Sequence, residues 1–281
     1  MSFIFNTSSY PSLRRELFGL SFRHPVGLAP GFIPDGEHTG AFPAFSFVEV
    51  GPLTVIPQGG ANPGGFMKRR MCAAGSVDNR GVGNAISHLG RVRRKRGLVM
   101  ANLAPAFVHR STEDVVKDLT SAFTMMYDFA DMFVVDTFRP NCDGVVALQN
   151  IDILSEALDS ILDMRNCYDE YKPVFVRVLP TISRAVLAEM LNYMRLYGID
   201  GIVAGFNDYP LDLVADIVGM TDGRFPVIAC GGADTPRKVD ALLDAGASLV
   251  QVGMRPGRIL KHLDEKARGV KAPTVGKDEI D

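Results

Sequence analysis

The stretch Pro226-Val227-Ile228-Ala229-Cys230-Gly231-Gly232-Ala233-Asp234 joins a short apolar run to two glycines. A helical pattern follows over 235–244, and a second apolar run ends at Gly253. Glycines let backbone N–H groups approach a phosphate closely, and a helix N-terminus directs partial positive charge at it. In a (β/α)8 barrel, phosphate binds at the ends of the seventh and eighth strands. The stretch therefore predicts the last part of such a barrel.

Short apolar runs rich in Val, Ile and Phe recur along the rest of the chain. They cover 26–30, 45–52, 97–104, 132–138, 174–180, 201–206, 227–232 and 249–253. Near-continuous hydrophobicity is typical of strands buried on both faces. Amphipathic helical patterns occupy most gaps, as in 112–126, 151–164 and 183–197. Repeated βα units favour one (β/α)8 TIM barrel spanning 1–281. The alternative, a doubly wound open sheet, needs an early GxGxxG, and none follows the first run.

One connection is too long for a simple βα turn. Between Gly51 and Gly97 the chain contains a Gly/Pro-rich segment, 57–65, and a polar segment, 77–84. The connection follows the carboxyl end of the second predicted strand. We therefore interpret it as an insertion over the top of the barrel, on the substrate side.

Composition excludes several classes of function. The 281 residues are 47% hydrophobic with a formal net charge of −2, so no overall field favours nucleic acid or an acidic membrane. The four cysteines show no CxxC spacing, and the five histidines form no i, i+4 pair, so we expect neither a disulfide frame nor a metal site. No signal peptide or membrane span is predicted, which indicates a cytoplasmic protein.

Four segments carry a family likeness. They are 17–32, Val48-Glu49-Val50-Gly51, Asp78-Asn79-Arg80, and 227–251. Together they resemble the dihydroorotate dehydrogenases, FMN-dependent (β/α)8 barrels of pyrimidine biosynthesis, and among these the membrane-associated class 2 enzymes. The opening and closing segments are the specific ones. The family's membrane-binding N-terminal extension has no counterpart in this sequence, so a membrane partner is not expected. A homodimer is an expectation from the family alone.

The resemblance implies a set of ligand contacts. The residues assigned to FMN are Ala29, Pro30, Gly31, Thr54, Asn102, Arg177, Gly231, Gly232, Gly253 and Met254. In this assignment Asn102 bonds the polar edge of the ring, and Arg177 replaces a lysine near N1 and O2 of the ring. The glycines and Met254 hold phosphate through backbone N–H groups. Asn84 and Asn141 are assigned to the substrate.

The departures from the family fall on the chemistry. Pro34 takes the place of a lysine, and Arg139 that of the Ser or Cys base. Asp136 and Phe206 each replace an asparagine. An arginine stays protonated and cannot abstract a proton, so ordinary dihydroorotate oxidation is not expected.

The candidate catalytic residues are therefore Asp136 and Arg139. Asp136 lies at the carboxyl end of a strand, where barrel catalysts cluster, and is either a proton acceptor or the ion-pair partner of Arg139. Cys142 is a weaker candidate for the base. Arg139 suits an anionic ligand that it would hold through two hydrogen bonds.

Three functions remain open. The first is a divergent FMN-binding oxidoreductase that acts on a small anionic substrate. The second is a non-catalytic barrel that binds FMN or another phosphate ligand. The third is a lyase or isomerase that uses the phosphate cradle for a different reaction.

Overall fold

The structure is a computed structural model, and it describes residues 10–37, 39, 42–58, 80–91, 97–106, 111–137, 150–253 and 255–269. Most of the predicted insertion lies outside the described residues. So do four of the residues singled out above, namely Arg139, Asn141, Cys142 and Met254.

Strands and helices alternate along the described chain. The strands are β1 (Arg15–Leu17), β2 (Leu20–Phe22), β3 (Val26–Ile33), β4 (Phe47–Leu53), β5 (Leu98–Leu103), β6 (Met132–Asp136), β7 (Val174–Val178), β8 (Gly201–Ala204), β9 (Val227–Cys230) and β10 (Leu249–Val252). The α-helices are α1 (Val82–Leu89), α2 (Thr112–Met126), α3 (Ile151–Arg165), α4 (Arg184–Tyr197), α5 (Leu211–Met220), α6 (Pro236–Asp244) and α7 (Gly257–Ala267). Single 3-10 turns cover Pro11–Leu13 and Tyr127–Phe129.

Strands β3 to β10 close into a parallel barrel in chain order. The circle closes where β10 pairs with β3, with Val250 opposite Val26. Each of the eight predicted apolar runs supplies one barrel strand, so the (β/α)8 prediction is confirmed. Closure also rules out the open sheet. Among the helices of the described ranges, none combines the length and the apolar character that a membrane crossing requires.

Side-chain caps set where several helices begin. Ser111, Ser183 and Thr235 accept backbone N–H groups at the starts of α2, α4 and α6, and Asn150 does so for α3. These side chains satisfy N–H groups that would otherwise lack a partner in the first turn. The predicted helix boundaries therefore agree with the structure to within a residue or two.

An apolar layer fills the amino-terminal half of the barrel. Five strands contribute Phe47, Met100, Val134, Phe175 and Leu249, and β8 and β9 add Val203 and Ile228. The antiparallel hairpin of β1 and β2, which the sequence did not predict, packs against this layer. Phe18 of the hairpin meets Phe175 edge-on, with ring centroids 4.8 Å apart. The lower end of the barrel is thus closed by aromatic packing.

Candidate functional site

A polar layer lies above the apolar layer, two residues further along the same five strands. Its members are Glu49, Asn102, Asp136, Arg177 and Gln251. Each of these five residues is at most 4% exposed. Successive inward positions on a strand are two residues apart, so the layer lies toward the carboxyl ends of the strands. That is the end where barrel enzymes place their active sites.

Glu49 is the centre of this layer. Its Oε1 accepts a hydrogen bond from Asn102 Nδ2 at 2.7 Å and another from Arg177 Nη2. Its Oε2 accepts from Gln251 Nε2 at 2.6 Å. A buried carboxylate is tolerated only when it is paired and hydrogen-bonded, and three donors from three strands meet that need.

Arg177 is the cation of the layer and is fully buried. Its Nη1 donates to Gly205 O at 3.0 Å, and its Nε lies 3.4 Å from Asp136 Oδ2. Burial alone would lower the pKa of Arg177, but the carboxylates of Glu49 and Asp136 raise that pKa well above its usual range. The guanidinium is therefore permanently charged, and that charge is engaged by two carboxylates.

Two acceptor atoms of the layer have no hydrogen-bond partner within the described ranges. They are Asn102 Oδ1 and Gln251 Oε1. An ionised carboxylate accepts hydrogen bonds and cannot donate them, so the side-chain amides of Asn102 and Gln251 must both turn their NH2 groups toward Glu49. Their carbonyl oxygens therefore point away from Glu49. A buried acceptor left without a donor costs about 1–3 kcal/mol. The polar layer is thus suited to a ligand that brings donor groups.

Cys230 faces the interior beside these residues and is fully buried. Burial raises the pKa of its thiol to about 12, although the nearby Arg177 acts in the opposite direction. The thiol is therefore protonated at neutral pH. Since only the thiolate is a good nucleophile, Cys230 is not a candidate for nucleophilic catalysis.

The rim above β3 and β10 is open. Ala29, Pro30 and Gly31 are partly exposed, and no atom of the described residues lies within 4 Å of the place a Cβ on Gly31 would take. At Gly253 an added Cβ would meet, among the described residues, only the ring of Phe32, at 3.9 Å. The residues assigned to the flavin ring by resemblance thus leave space for a flat ligand. FMN fits this end of the barrel because open space and unpaired acceptors occur together.

The two glycines of the predicted phosphate cradle follow β9 directly. Gly231 and Gly232 have φ values of 112° and 57°, which glycine adopts without strain. A Cβ on Gly231 would lie 2.4 Å from Asp208 O, so this position requires glycine. Helix α6 begins at Pro236, four residues after Gly232, with Thr235 as its cap, so its N-terminus lies next to the same loop.

Lys238 adds a cation that the sequence analysis did not assign. Its Nζ donates to Gly232 O at 3.1 Å and to Asp234 Oδ1 at 2.8 Å. The side chain is 42% exposed and therefore reachable from solvent. An ammonium group beside the glycine pair strengthens the case for an anion at this place.

The remaining predicted site residues are placed as follows. Asp136 Oδ2 accepts from Asn102 Nδ2 at 3.0 Å, and this same oxygen faces Arg177. The ion pair expected between Asp136 and Arg139 involves a residue outside the described ranges.

Thr54 is buried after β4 and donates to Ile56 O. Asn84 lies in the first turn of α1, with a buried Oδ1 that has no hydrogen-bond partner in the described part of the chain.

Two members of the polar layer, Glu49 and Gln251, were not assigned a role from sequence. The sequence did contain a signal for both residues, because each is a polar residue within an apolar run that is typical of a strand buried on both faces. Val48 and Val50 flank Glu49, and Val250 and Val252 flank Gln251. A strand of this kind carries a polar group inward only where another group can satisfy it.

Comparison with known proteins agrees with the geometry. A family model described as dihydroorotate dehydrogenase matches residues 12–208. A protein of Salinispora arenicola named dihydroorotate dehydrogenase (quinone) is 30% identical over 277 residues, which cover 86% of this chain and 79% of the relative. A protein of Nostoc punctiforme with the same name is 29% identical over 285 residues, covering 85% and 74%.

Solved structures show the same fold. DHODH from Eimeria tenella in complex with ferulenol superposes with a TM-score of 0.75 at 22% identity, covering 92% of this chain and 82% of the other. The ligand-free form gives 0.77 at 21% identity, covering 96% and 88%. The family model spans well over half of the sequence, and a curated relative reaches 30% identity over most of both chains. The chain therefore belongs to the dihydroorotate dehydrogenase family.

Proposed function

We propose that this protein is an FMN-dependent oxidoreductase that acts on a small anionic substrate other than dihydroorotate. The observation that carries the proposal is a pair of buried amide oxygens, on Asn102 and Gln251, that have no hydrogen-bond partner among the residues the structure describes. The relatives named dihydroorotate dehydrogenase (quinone) support an oxidation–reduction reaction. When bound, FMN would supply the hydride acceptor that no side chain of the protein can provide.

The residues of this chain would divide the work of holding FMN. The backbone of Ala29, Pro30 and Gly31 would lie behind the ring, and Asn102 Oδ1 would accept a hydrogen bond from a ring N–H group. Thr54 remains a proposed contact. The phosphate would be bound by N–H groups of Gly231, Gly232, Gly253 and Met254, with α6 and Lys238 adding positive potential.

Arg177 takes a different role from the one expected by resemblance. A lone cation beside the ring would stabilise reduced flavin, but here the charge is matched by Glu49 and Asp136. We therefore assign Arg177 to ordering the polar layer rather than to direct charge stabilisation.

The substrate side is proposed from sequence. Arg139 would bind a carboxylate or phosphate of the substrate, with Asn84 and Asn141 as further polar contacts. Asp136 is the candidate proton acceptor. Because Arg139 occupies the position of the family's base, dihydroorotate should bind without being oxidised at an ordinary rate.

A second candidate function is a non-catalytic barrel that binds FMN or another phosphate ligand. Arg139 favours it, because this residue removes the family's proton acceptor while the glycine cradle is kept. The two candidates differ in one observable property. Only the oxidoreductase turns over electrons with a substrate.

The colour of the purified protein tests the proposal first. We expect a yellow protein with a flavin spectrum that bleaches when dithionite is added. A colourless protein that also fails to take up added FMN would contradict flavin binding. Bound flavin with no turnover of any small carboxylate or phosphate substrate would favour the non-catalytic candidate.

Gly253 offers a sharper test of where the flavin binds. In Gly253→Val the new side chain would project into space that, among the described residues, only the Phe32 ring approaches, so the fold should tolerate it. We expect FMN affinity to fall at least about tenfold, since the ligand would lose that space. Gly219→Val, at an exposed position of α5 where no described atom lies within 4 Å of the added Cβ, is the matched control and should bind FMN as the wild type does.

Activity on dihydroorotate tests the substrate assignment. We expect turnover near the background rate for the wild type. Ordinary turnover would show that the position of the base has been assigned wrongly. Arg139→Ser then asks whether the family's base alone restores oxidation.

A further inference from the structure

Glu49 has contacts that suggest more than a structural role. It binds side chains from three other strands, Asn102 on β5, Arg177 on β7 and Gln251 on β10. Both Glu49 and Arg177 are fully buried. Water therefore screens their interaction little, and the two charges remain tightly coupled.

The electrostatic consequence concerns any ligand above the polar layer. An isolated buried guanidinium would impose a strong positive potential on its surroundings. Here the carboxylate of Glu49 is hydrogen-bonded to that guanidinium, and Asp136 lies 3.4 Å from Arg177 Nε. One guanidinium and two carboxylates carry a formal charge of −1 together, so these three groups impose no net positive potential on a ligand above them.

Reduction of a flavin adds negative charge to its ring, and a nearby positive charge favours the reduced form. We propose that Glu49 is a positioning residue that cancels the field of Arg177 and thereby holds the reduction potential of the bound FMN low. This inference rests on the proposed function, because it requires FMN at this end of the barrel. It assigns a task to a residue that touches neither flavin nor substrate.

Glu49→Gln is a suitable variant because it removes the charge and keeps the shape. The glutamine oxygen can still accept from Asn102 and Arg177. Its NH2 group replaces Oε2 and faces Gln251. The oxygen of Gln251 has no hydrogen-bond partner in the described ranges, so this amide can turn over and accept. The hydrogen bonds of residue 49 can therefore be kept, while Gln251 then presents its NH2 group instead of its oxygen to a ligand above the layer.

The experiment compares the FMN-loaded wild type with Glu49→Gln by equilibration with a reference dye. The reduced dye supplies both electrons, and solvent supplies the proton taken up by the ring. We expect the equilibrium to shift toward reduced flavin about tenfold, equivalent to about 30 mV for two electrons. Sulfite, which forms an anionic adduct with oxidised flavin, should bind about tenfold more tightly for the same reason.

Glu156→Gln is the matched control, because it makes the same chemical change at an exposed position of α3. It should leave both the potential and the sulfite affinity unchanged. A Glu49→Gln protein that binds FMN with the potential and sulfite affinity of the wild type would overturn the inference. If the wild type itself takes up no FMN, the proposed function fails first, and the spectrum shows this before any potential is measured.

A double variant keeps the inference testable if Glu49→Gln does not fold. Glu49→Gln with Arg177→Met replaces two members of the buried charge cluster by neutral side chains of similar volume, while Asp136 keeps its hydrogen bond from Asn102. Because the pair cancels, the two-electron equilibrium should stay within about threefold of the wild type. A large shift toward oxidised flavin would show that the charge of Arg177 does reach the ring, and it would overturn the inference.

Discussion

The two halves of the barrel interior differ sharply although the same five strands build both. On each of these strands, an apolar residue of the lower half lies two positions before a polar residue of the upper half. The pairs, lower member first, are Phe47 and Glu49, Met100 and Asn102, Val134 and Asp136, Phe175 and Arg177, and Leu249 and Gln251. The lower half is apolar and closed by a hairpin. The upper half has charges, amides and an open rim.

This difference in composition means that the two halves contribute differently to stability and to ligand binding. Apolar burial in the lower half provides stability without any requirement for specific partners. In the upper half each buried polar group depends on its neighbours, and two amide oxygens have no partner in the described residues. The lower half thus contributes stability that needs no specific partner, and the upper half contributes binding capacity. The following predictions test whether the two halves can be perturbed separately.

Removing the cation should have the largest effect on folding. Arg177→Met leaves the carboxylates of Glu49 and Asp136 without their positive partner inside the barrel. We expect the free energy of unfolding to fall by about 3–5 kcal/mol, as for other broken buried pairs. Chemical denaturation followed by circular dichroism measures the change.

The matched control for this prediction is an exposed arginine. Arg184→Met removes a surface pair with Asp216, in which the two side chains are 73% and 43% exposed. Such pairs contribute about 0–1 kcal/mol. Equal losses from Arg177→Met and Arg184→Met would show that the polar layer is not dry, and the contrast between the halves would lose its basis.

A histidine at the lower end should make stability depend on pH. His24 lies just before β3; its Nδ1 accepts from Val26 N, and its Nε2 faces Ala44 O at 3.0 Å. Burial is the main cause that lowers the pKa of His24 from 6.5 to about 4. The folded state thus favours neutral imidazole. The unfolded chain takes up a proton as the pH falls below 6.5, so stability is lost between pH 6.5 and 4.

The size of this pH effect is about 3 kcal/mol if the full shift is expressed. Denaturation curves of the wild type and His24→Gln at pH 7 and pH 4.5 measure it, since carboxylates contribute equally to both proteins. We expect the wild type to lose more stability than the variant on acidification. Parallel losses would mean that His24 is solvated, and that the lower end is less tightly closed than the hairpin suggests.

Sequence reasoning reached the barrel because each barrel strand is buried on both faces and reads as an unbroken apolar run. It missed the β1–β2 hairpin for a physical reason. Its strands have three residues each, too few to show alternation. The two-residue turn, Phe18-Gly19, has its glycine at φ 76° but places phenylalanine at φ 58°, where Asn, Asp or Gly is usual, so its signal is weak.

The site was predicted residue by residue but not as a network. Asn102 and Arg177 were assigned from resemblance, and both lie in the polar layer. Their partner Glu49 is 128 positions from Arg177, so the contact exists only once the barrel has closed. Likewise, the replacements at Asp136 and Arg177 looked independent in sequence. Strand register places these two residues side by side, where their opposite charges interact directly.

The smallest expected effect concerns the cation beside the glycine pair. Lys238→Met removes an ammonium group that contacts Gly232 O and Asp234 but leaves the backbone of the cradle in place. At low ionic strength we expect FMN affinity to fall about three- to tenfold, because the lysine is partly exposed and acts through space. At high salt the difference should shrink as the charge is screened.

The control is Lys261→Met, which changes a paired and largely exposed lysine on α7 and should leave the affinity unchanged. If Lys238→Met and Lys261→Met bind FMN equally well at low salt, the phosphate is held by backbone groups alone. The upper half would then owe its binding capacity to its glycines and amides, and not to a charge at its rim.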